Sequence, residues 1–466
     1  MNRRSFLKAA GAAPVAGWLT HLPLASSAGQ EARVRLPVAA LAPRFGDGRD
    51  WWFRCRFGLF VHWGLYSING WHEQEQWRRH VPRAEYEKLT KRWNPVRFDP
   101  DAWLDLAEAA GMRYICLTTK HHDGFCLFVS KQTDYHTGNT PYGKDVVRLL
   151  ADACHRRNFP LCLYYSIADW HHPNYPNQGR HHELPPQPGD KPDLRAYTDY
   201  VRAQVRELCT NYGEIHGIWW DMNVDKLVDP SINAMIRQLQ PKAVINDRGY
   251  DTGDFGTPER DYAKDGEALL SFTKRTEACQ SVGSESWGYR ADEDYYADRH
   301  LIRSIDKYLA RDANYLLNVG PKGDGTIPDE SAAILRRIGA WYTSVRESFE
   351  GVVPASDLTT NREVLLTRKG NTLYAHLYKD PLVDAVKLPP FETLPRRATL
   401  LNTGRALACS TALTPRDHLE GKSPLRVRGI PVNELANSVP VIKLEFDRLP
   451  AASFEHAGDV NDIQRR

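Results

Sequence analysis

The sequence predicts an α/β fold, a (β/α)8-like barrel of the TIM type followed by a C-terminal antiparallel β-sandwich. Apolar runs alternate with helical patterns up to about residue 350, as expected of parallel β/α units. Four of these runs end in polar residues, as strands do at the mouth of such a barrel. Beyond residue 350, short alternating runs are separated by Pro and Gly, which is typical of a sandwich. The four polar-ended runs occupy residues 57–64, 114–124, 161–170 and 215–222.

Helical patterns separate these runs and supply the outer layer of the predicted barrel. The pattern at 99–111 opens with an Asp-Pro pair, a helix-start signal, and closes on a glycine. Further strands are predicted at 243–248, 275–280 and 314–321. No seventh strand can be assigned, so we expect the barrel to be irregular. The other helices are predicted at residues 145–157, 194–212, 231–240 and 331–348.

The first 30 residues are typical of an export signal. Arg3 and Arg4 belong to a twin-arginine pattern, and a mildly apolar run that ends near Ala28 follows them. A simple amphipathic N-terminal helix is the alternative. We therefore expect a periplasmic or extracellular protein, exported by the twin-arginine route. The predicted organisation is a signal peptide at 1–30, a catalytic barrel at 40–350 and a sandwich at 351–450.

Composition argues against two classes of partner. The net charge of +3 is small beside 61 basic and 58 acidic side chains, and basic runs are absent outside the N-terminus, so we expect no nucleic-acid partner. No later apolar run is long enough to span a bilayer, which predicts no membrane insertion once the signal is removed. Five of the eight cysteines lie in core-like runs, which favours buried free thiols over disulfides. A homo-oligomer is left open.

Asp221 is the strongest catalytic candidate, because it ends an apolar run directly after two tryptophans. A carboxylate fixed where water is partly excluded suits a nucleophile, although capping the next helix or pairing with an arginine would also explain it. Glycoside hydrolysis with retention needs a second carboxyl roughly 5 Å away. Glu259, in a predicted loop after the fifth strand, and Glu277, in the sixth, both qualify, and spacing alone does not choose between them.

Histidines and aromatic residues at the predicted mouth suit a sugar. The imidazoles of His62, His121 and His122 can bond hydroxyl groups as donor or acceptor. Metal ligation is the competing interpretation, but the His-x-His and carboxylated-lysine signals of barrel metalloenzymes are missing. The candidate aromatic wall consists of Trp77, Tyr164, Tyr165 and Trp287.

Taken together, six ordered motifs between about residues 45 and 350 resemble the α-L-fucosidases of glycoside hydrolase family 29. Their order along the chain makes the signal specific, whereas any one alone would be weak. The motifs are FGLFVHWGLYS at 57–67, KHHDGF at 120–125, YYS at 164–166 with Asp169-Trp170, WWD at 219–221, NDR at 246–248 and SWGY at 286–289.

The resemblance implies an exo-acting retaining enzyme that removes terminal α-L-fucose from glycans through a covalent glycosyl-enzyme, without a metal or organic cofactor. It implies Asp221 as the nucleophile, and Glu259 as the acid/base in one branch of the family or Glu277 in the other. Arg248 and the Thr-Pro-Glu turn favour Glu259. Implied around the fucose ring are His62, Trp77, His121, His122, Tyr164 or Tyr165, Arg248 and Trp287.

One position departs from the family pattern. Glu-Trp usually follows the first strand, and here Gln76 precedes Trp77. Glutamine can still bond a hydroxyl but lacks the charge that strengthens such a bond. A lectin on an inactive scaffold is a further alternative, and the carboxylates at Asp221 and at both candidate acid positions argue against it.

Overall fold

The core of the molecule is a curled sheet of seven parallel strands. In a computed structural model of the chain, the described residues are 42–260, 272, 274–420 and 423–450. The strands follow the spatial order β5-β4-β3-β2-β1-β7-β6. They are β1 Phe57–Val61, β2 Ile115–Lys120, β3 Leu161–Ser166, β4 Gly217–Asp221, β5 Val244–Ile245, β6 Glu277–Ser281 and β7 Asn314–Val319.

The gap between β5 and β6 is closed by an irregular segment, residues 255–260. The Asp247 N–H donates to the Phe255 carbonyl on one side, and the Cys279 N–H donates to the Pro258 carbonyl on the other, at 3.0 and 2.9 Å. Pro258 has no N–H to donate, which prevents a regular ladder here. This segment is the strand that the sequence did not reveal, and it includes Glu259, which we had expected in a loop. The predicted fold class, an irregular barrel, is confirmed.

Helices surround the barrel, and four of them begin at an aspartate. Asp99, Asp145, Asp193 and Asp229 each accept a backbone N–H of the first helical turn, which satisfies donors that otherwise lack a partner. The helices of this part are α1 Trp51–Cys55, α2 Glu75–Arg78, α3 Arg83–Tyr86, α4 Pro100–Ala109, α5 Val146–Arg156, α6 Leu194–Asn211, α7 Pro230–Leu239, α8 Asp298–Leu309 and α9 Asp329–Val345, and α10 Pro415–Glu420 lies in the C-terminal part of the chain.

Residues after α9 form two antiparallel sheets around a shared core. One sheet has the order β13-β12-β16-β10-β9-β8 and the other β11-β15-β14. Leu373 and Ile442 of the first sheet pack in one cluster with Val386 and Val427 of the second, as a sandwich requires. The strands are β8 Val353–Pro354, β9 Leu365–Lys369, β10 Thr372–His376, β11 Ala385–Leu388, β12 Arg397–Leu400, β13 Arg405–Ala406, β14 Ala408–Ser410, β15 Leu425–Arg428 and β16 Val441–Glu445.

Three further sequence predictions concern the signal peptide, membrane spans and the cysteines. The predicted signal peptide, residues 1–30, lies outside the described residues. No helix in the described part of the chain combines the length and apolarity needed to cross a membrane. All eight cysteines are free, and six of them are buried.

The amino-terminal end of the barrel is filled around Glu277, the first residue of β6. Its carboxylate accepts from the indole N–H groups of Trp52, at 3.0 Å, and Trp219, at 3.2 Å, and from the Tyr114 hydroxyl at 2.6 Å. Glu277 therefore ties α1, β4 and the start of β2 to β6. Burial raises the pKa of Glu277 to about 7, against the opposing effect of these three donors.

We expect Glu277 to make stability depend on pH. Because its pKa is about 7 in the folded state and 4.5 ordinarily, the folded protein holds the extra proton between these values. The free energy of unfolding should therefore fall by about 3 kcal/mol as pH rises from 4.5 to 7.5. In Glu277→Gln, which is neutral throughout, this slope should disappear from urea unfolding curves. Parallel pH profiles for the two proteins would contradict this role.

Candidate functional site

The candidate site lies at the carboxyl ends of the barrel strands, where side chains alternate between the interior and the helix layer. Along β3 and β4, Tyr164 pairs with Trp219 and Ser166 with Asp221 in parallel register. Tyr164 and Trp219 belong to the apolar cluster inside the barrel. Tyr165 points the other way, donating its hydroxyl to Gln204 of α6 at 2.6 Å. Of the two predicted tyrosines, only Tyr164 reaches the site.

Asp221 is held at both carboxylate oxygens. Oδ2 accepts from the Tyr164 hydroxyl at 2.8 Å, and Oδ1 accepts from Arg248 Nη1 at 3.2 Å. Burial works to raise the pKa of Asp221, but Arg248 and then His122 and Tyr164 outweigh it, so that the pKa is lowered. Helix capping, the alternative role, falls instead to Asp229 before α7. The arginine pairing is present, and it draws Asp221 into the site.

Arg248 joins Asp221 to Glu259. The same nitrogen, Nη1, donates to Asp221 Oδ1 and to Glu259 Oε1, while Nε and Nη2 donate to the Thr257 hydroxyl and carbonyl at 2.5 and 2.6 Å. The two carboxylates together raise the pKa of this guanidinium, although burial opposes them. Main-chain hydrogen bonds with Cys279 hold both neighbours of Glu259 against β6. The irregular strand thus brings Glu259 to Asp221.

Glu277, the rival candidate, is not brought to this face. It is 2% exposed, and its carboxylate oxygens accept hydrogen bonds from Trp52, Tyr114 and Trp219 at the opposite end of the barrel. Glu259 has a side chain that is 34% exposed at the mouth. Spacing in the sequence did not distinguish the two glutamates as candidate acid/base residues, but their surroundings in the fold do.

The three predicted histidines lie together at the ends of β1 and β2. The ring centroid of His121 is 5.7 Å from that of His62 and 3.9 Å from that of His122. His122 Nε2 is 4.0 Å from Asp221 Oδ2. Burial lowers the pKa of His62 and of His122 to about 4, so both are neutral at physiological pH.

Aromatic rings complete the wall on two sides. Trp287 lies 5.3 Å from His62 between ring centroids, and the Arg260 guanidinium stacks over the same indole at 4.7 Å. Trp77 meets the ring of His182 edge to face at 4.9 Å, and His182 in turn stacks with His122 at 6.4 Å. Both predicted tryptophans therefore border the histidine cluster. His182 was not expected there.

Glu73 is a charged member of the site that the sequence did not reveal. It is 2% exposed and accepts from the Ser286 hydroxyl at 2.6 Å and from the N–H groups of Trp287 and Gly288 at 2.9 and 3.2 Å. Burial works to raise the pKa of Glu73, but neighbours led by His72 and Ser286 lower it to about 2. Its three hydrogen-bond donors lie more than two hundred residues away along the chain, so no local pattern indicates it.

Gln76, at the position that departs from the family pattern, is 1% exposed. Its Oε1 atom is buried, and among the described residues it has no hydrogen-bond partner. An unpartnered buried amide oxygen is costly unless a ligand or water bonds to it.

In the described residues, no three His, Cys, Asp or Glu side chains are grouped to hold a metal ion.

Proteins described as α-L-fucosidases are similar to this chain in sequence and in fold. Tissue α-L-fucosidase of Bos taurus is 26% identical over 395 residues, covering 77% of this chain and 81% of its own. α-L-Fucosidase isoenzyme 1 from Paenibacillus thiaminolyticus has a TM-score of 0.75 at 34% identity, covering 86% of this chain and 99% of its own. A Bacteroides thetaiotaomicron GH29 α-L-fucosidase, trapped as a covalent intermediate with 2-fluoro-fucosyl fluoride, has a TM-score of 0.73 at 25% identity, with coverages of 88% and 99%.

A sequence model of a whole protein family also matches this chain. The sequence model for α-L-fucosidase matches residues 45–347, which span the barrel from before β1 to the end of α9. The residues of the site, from His62 to Trp287, all fall within this range. The chain therefore belongs to the α-L-fucosidases of glycoside hydrolase family 29, and is a glycoside hydrolase.

Proposed function

We propose that this protein is an exo-acting, retaining α-L-fucosidase that removes terminal α-L-fucose from glycans through a covalent glycosyl-enzyme. Asp221 acts as the nucleophile and Glu259 as the acid/base. The observation that carries the proposal is the position of Arg248, whose Nη1 donates to both carboxylates. This arrangement fixes two carboxyl groups at a barrel mouth lined by histidine and tryptophan.

The separation of the carboxylates supports retention of configuration. Two oxygens bonded to one nitrogen lie within about 6 Å of each other. Retaining glycosidases keep their carboxyl groups about 5–5.5 Å apart, whereas inverting enzymes need about 6.5–9.5 Å to admit a water. The trapped covalent intermediate of the Bacteroides thetaiotaomicron relative also supports this chemistry.

Asp221 has the properties that a nucleophile needs. Its lowered pKa keeps it ionised, and Tyr164 and Arg248 fix its orientation. It attacks the anomeric carbon through an oxocarbenium-like transition state and forms an ester. Preformed hydrogen bonds at both oxygens reduce the reorganisation that the attack requires.

Glu259 has the access that an acid/base needs. With a third of its side chain exposed, its carboxyl group is accessible both to the leaving oxygen and to the incoming water, from which it recovers its proton in the second step. It protonates the leaving oxygen first, then activates the water that hydrolyses the ester. Below Asp221 the barrel is filled by Phe60, Trp219 and Leu316, so the substrate approaches from the mouth. The exo-acting part of the proposal rests on the resemblance to the family.

Asp221→Gly should lower kcat by at least about a thousandfold on an aryl α-L-fucoside, because the nucleophile is lost. Added azide should restore turnover and yield the fucosyl azide of inverted configuration, as measured by NMR of the product. Asp229→Gly is the matched control, since glycine replaces the aspartate that caps α7 at little cost. Unchanged turnover in Asp221→Gly would exclude this residue as nucleophile. Turnover by the wild-type protein should also be measured with and without a chelator, because its loss in the presence of the chelator would indicate a metal.

The effect of Glu259→Ala on kcat/KM should depend on the leaving group of the substrate. For an unactivated fucosyl disaccharide, kcat/KM should fall by at least about a hundredfold, whereas a dinitrophenyl fucoside needs no proton and should lose little. Glu277→Ala should lower stability and show no such dependence, because its carboxylate contacts Trp52, Tyr114 and Trp219. The opposite pattern in the two variants would exchange their roles.

We also propose that the protein is exported by the twin-arginine route. The proposal rests on the Arg3-Arg4 pair and the apolar run behind it. Replacing both with lysine, Arg3→Lys with Arg4→Lys, should keep the precursor in the cytoplasm, as read by immunoblots of cell fractions. Export of this double variant at the wild-type level would rule out the route, and Lys8→Arg serves as the charge-conserving control.

A further inference from the structure

His62 Nδ1 lies 2.7 Å from Asn318 Oδ1. The orientation of the Asn318 amide is fixed independently, because its Nδ2 donates to the Trp287 carbonyl at 2.7 Å and to the Ser281 hydroxyl at 3.1 Å. A carbonyl oxygen can only accept, so the amide nitrogen must face Trp287 and the amide oxygen must face His62. His62 Nδ1 is therefore the nitrogen that bears the hydrogen.

The nitrogen of His122 that bears the hydrogen is identified in the same way, from its contact with Ser166. The Ser166 hydroxyl donates to the Ala168 carbonyl at 2.7 Å, and the same oxygen lies 2.7 Å from His122 Nδ1. A hydroxyl has one hydrogen, which is committed to Ala168, so Ser166 accepts from His122. His122 Nδ1 also bears the hydrogen. In a neutral imidazole, Nε2 is then a bare acceptor in both residues.

We propose that Asn318 and Ser166 are positioning residues that fix His62 and His122 with Nε2 as a hydrogen-bond acceptor, so that the site accepts two sugar hydroxyls as donors. The inference rests on the proposed function and deepens it. His122 Nε2 lies 4.0 Å from Asp221 Oδ2. A hydrogen on Nε2 would place a second donor near this oxygen, which already accepts from Tyr164, whereas the bare nitrogen adds none.

Burial, rather than the neighbouring charges, holds both rings neutral. His62 faces Glu73 and Asp221, which favour its protonation, and Arg260, which opposes it, but burial dominates and the pKa is lowered. His122 faces Asp221 and Glu73, which favour its protonation, and His182 and His62, which oppose it, again with burial dominant. His121 packs against both rings.

The direct test is NMR of the unliganded protein labelled with ¹⁵N-histidine, in which long-range couplings separate the two tautomers. We expect His62 and His122, assigned by His62→Gln and His122→Gln, to carry the proton on Nδ1. Ser166→Ala should alter the His122 signal alone. A hydrogen on Nε2 in either wild-type residue would overturn the inference and leave the fucosidase proposal intact. Wild-type protein with both tautomers as inferred but no fucoside turnover would contradict only the proposed function.

The kinetic test is Asn318→Asp. A carboxylate facing Nδ1 stabilises the imidazolium, so His62 should protonate at higher pH and offer a donor where the sugar needs an acceptor. We expect kcat/KM for an aryl α-L-fucoside to fall at least about tenfold at pH 5 relative to wild type and to recover toward pH 8. Asn233→Asp is the control, a buried amide that accepts from Trp220 on the outer face of the barrel. A profile for Asn318→Asp that parallels wild type, or equals that of the control, would overturn the inference.

Discussion

The bond pattern of Arg248 is the interaction on which the site depends. Two carboxyl groups at a partly buried mouth repel each other when both are ionised. A single guanidinium between them reduces that repulsion and limits their separation. Thr257 holds the other guanidinium nitrogens, so the cation itself cannot swing away. The short strand β5 precedes Arg248, and the irregular segment 255–260 contains Glu259. Together they bring Arg248 and Glu259 to Asp221.

The barrel gives opposite properties to two glutamates that are chemically the same. Glu259 lies at the mouth beside a cation and partly exposed to solvent, whereas Glu277 lies at the other end among indole N–H groups. Burial shifts the pKa of Glu277 upward, a property often used to identify an acid catalyst. Here that shift marks a structural carboxylate, because all of its bonds are made within the barrel. Access to the substrate decides which of the two can transfer a proton to it.

Much of this arrangement could be predicted from the sequence, and the failures have physical causes. Strands buried on both faces read as apolar runs, so β1 to β4 and the residues at their ends were found. The segment at 255–260 was missed because Pro258 interrupts its ladder and no periodicity results. Glu73 was missed because its partners at 286–288 are distant in sequence. Tyr164 and Tyr165 were left unresolved, because telling them apart requires the register of β3 with β4, which only the structure gives.

Neutral histidines have a further consequence for the chemistry. The transition state carries positive charge at the anomeric centre, so it is favoured by anions and by acceptor groups. Asp221 and Glu73 supply negative charge, and His62 and His122 supply lone pairs without a competing cation. An imidazolium in either position would oppose the charge that develops on the sugar. The same burial that lowers the pKa of these histidines thus adapts the pocket to a cationic transition state.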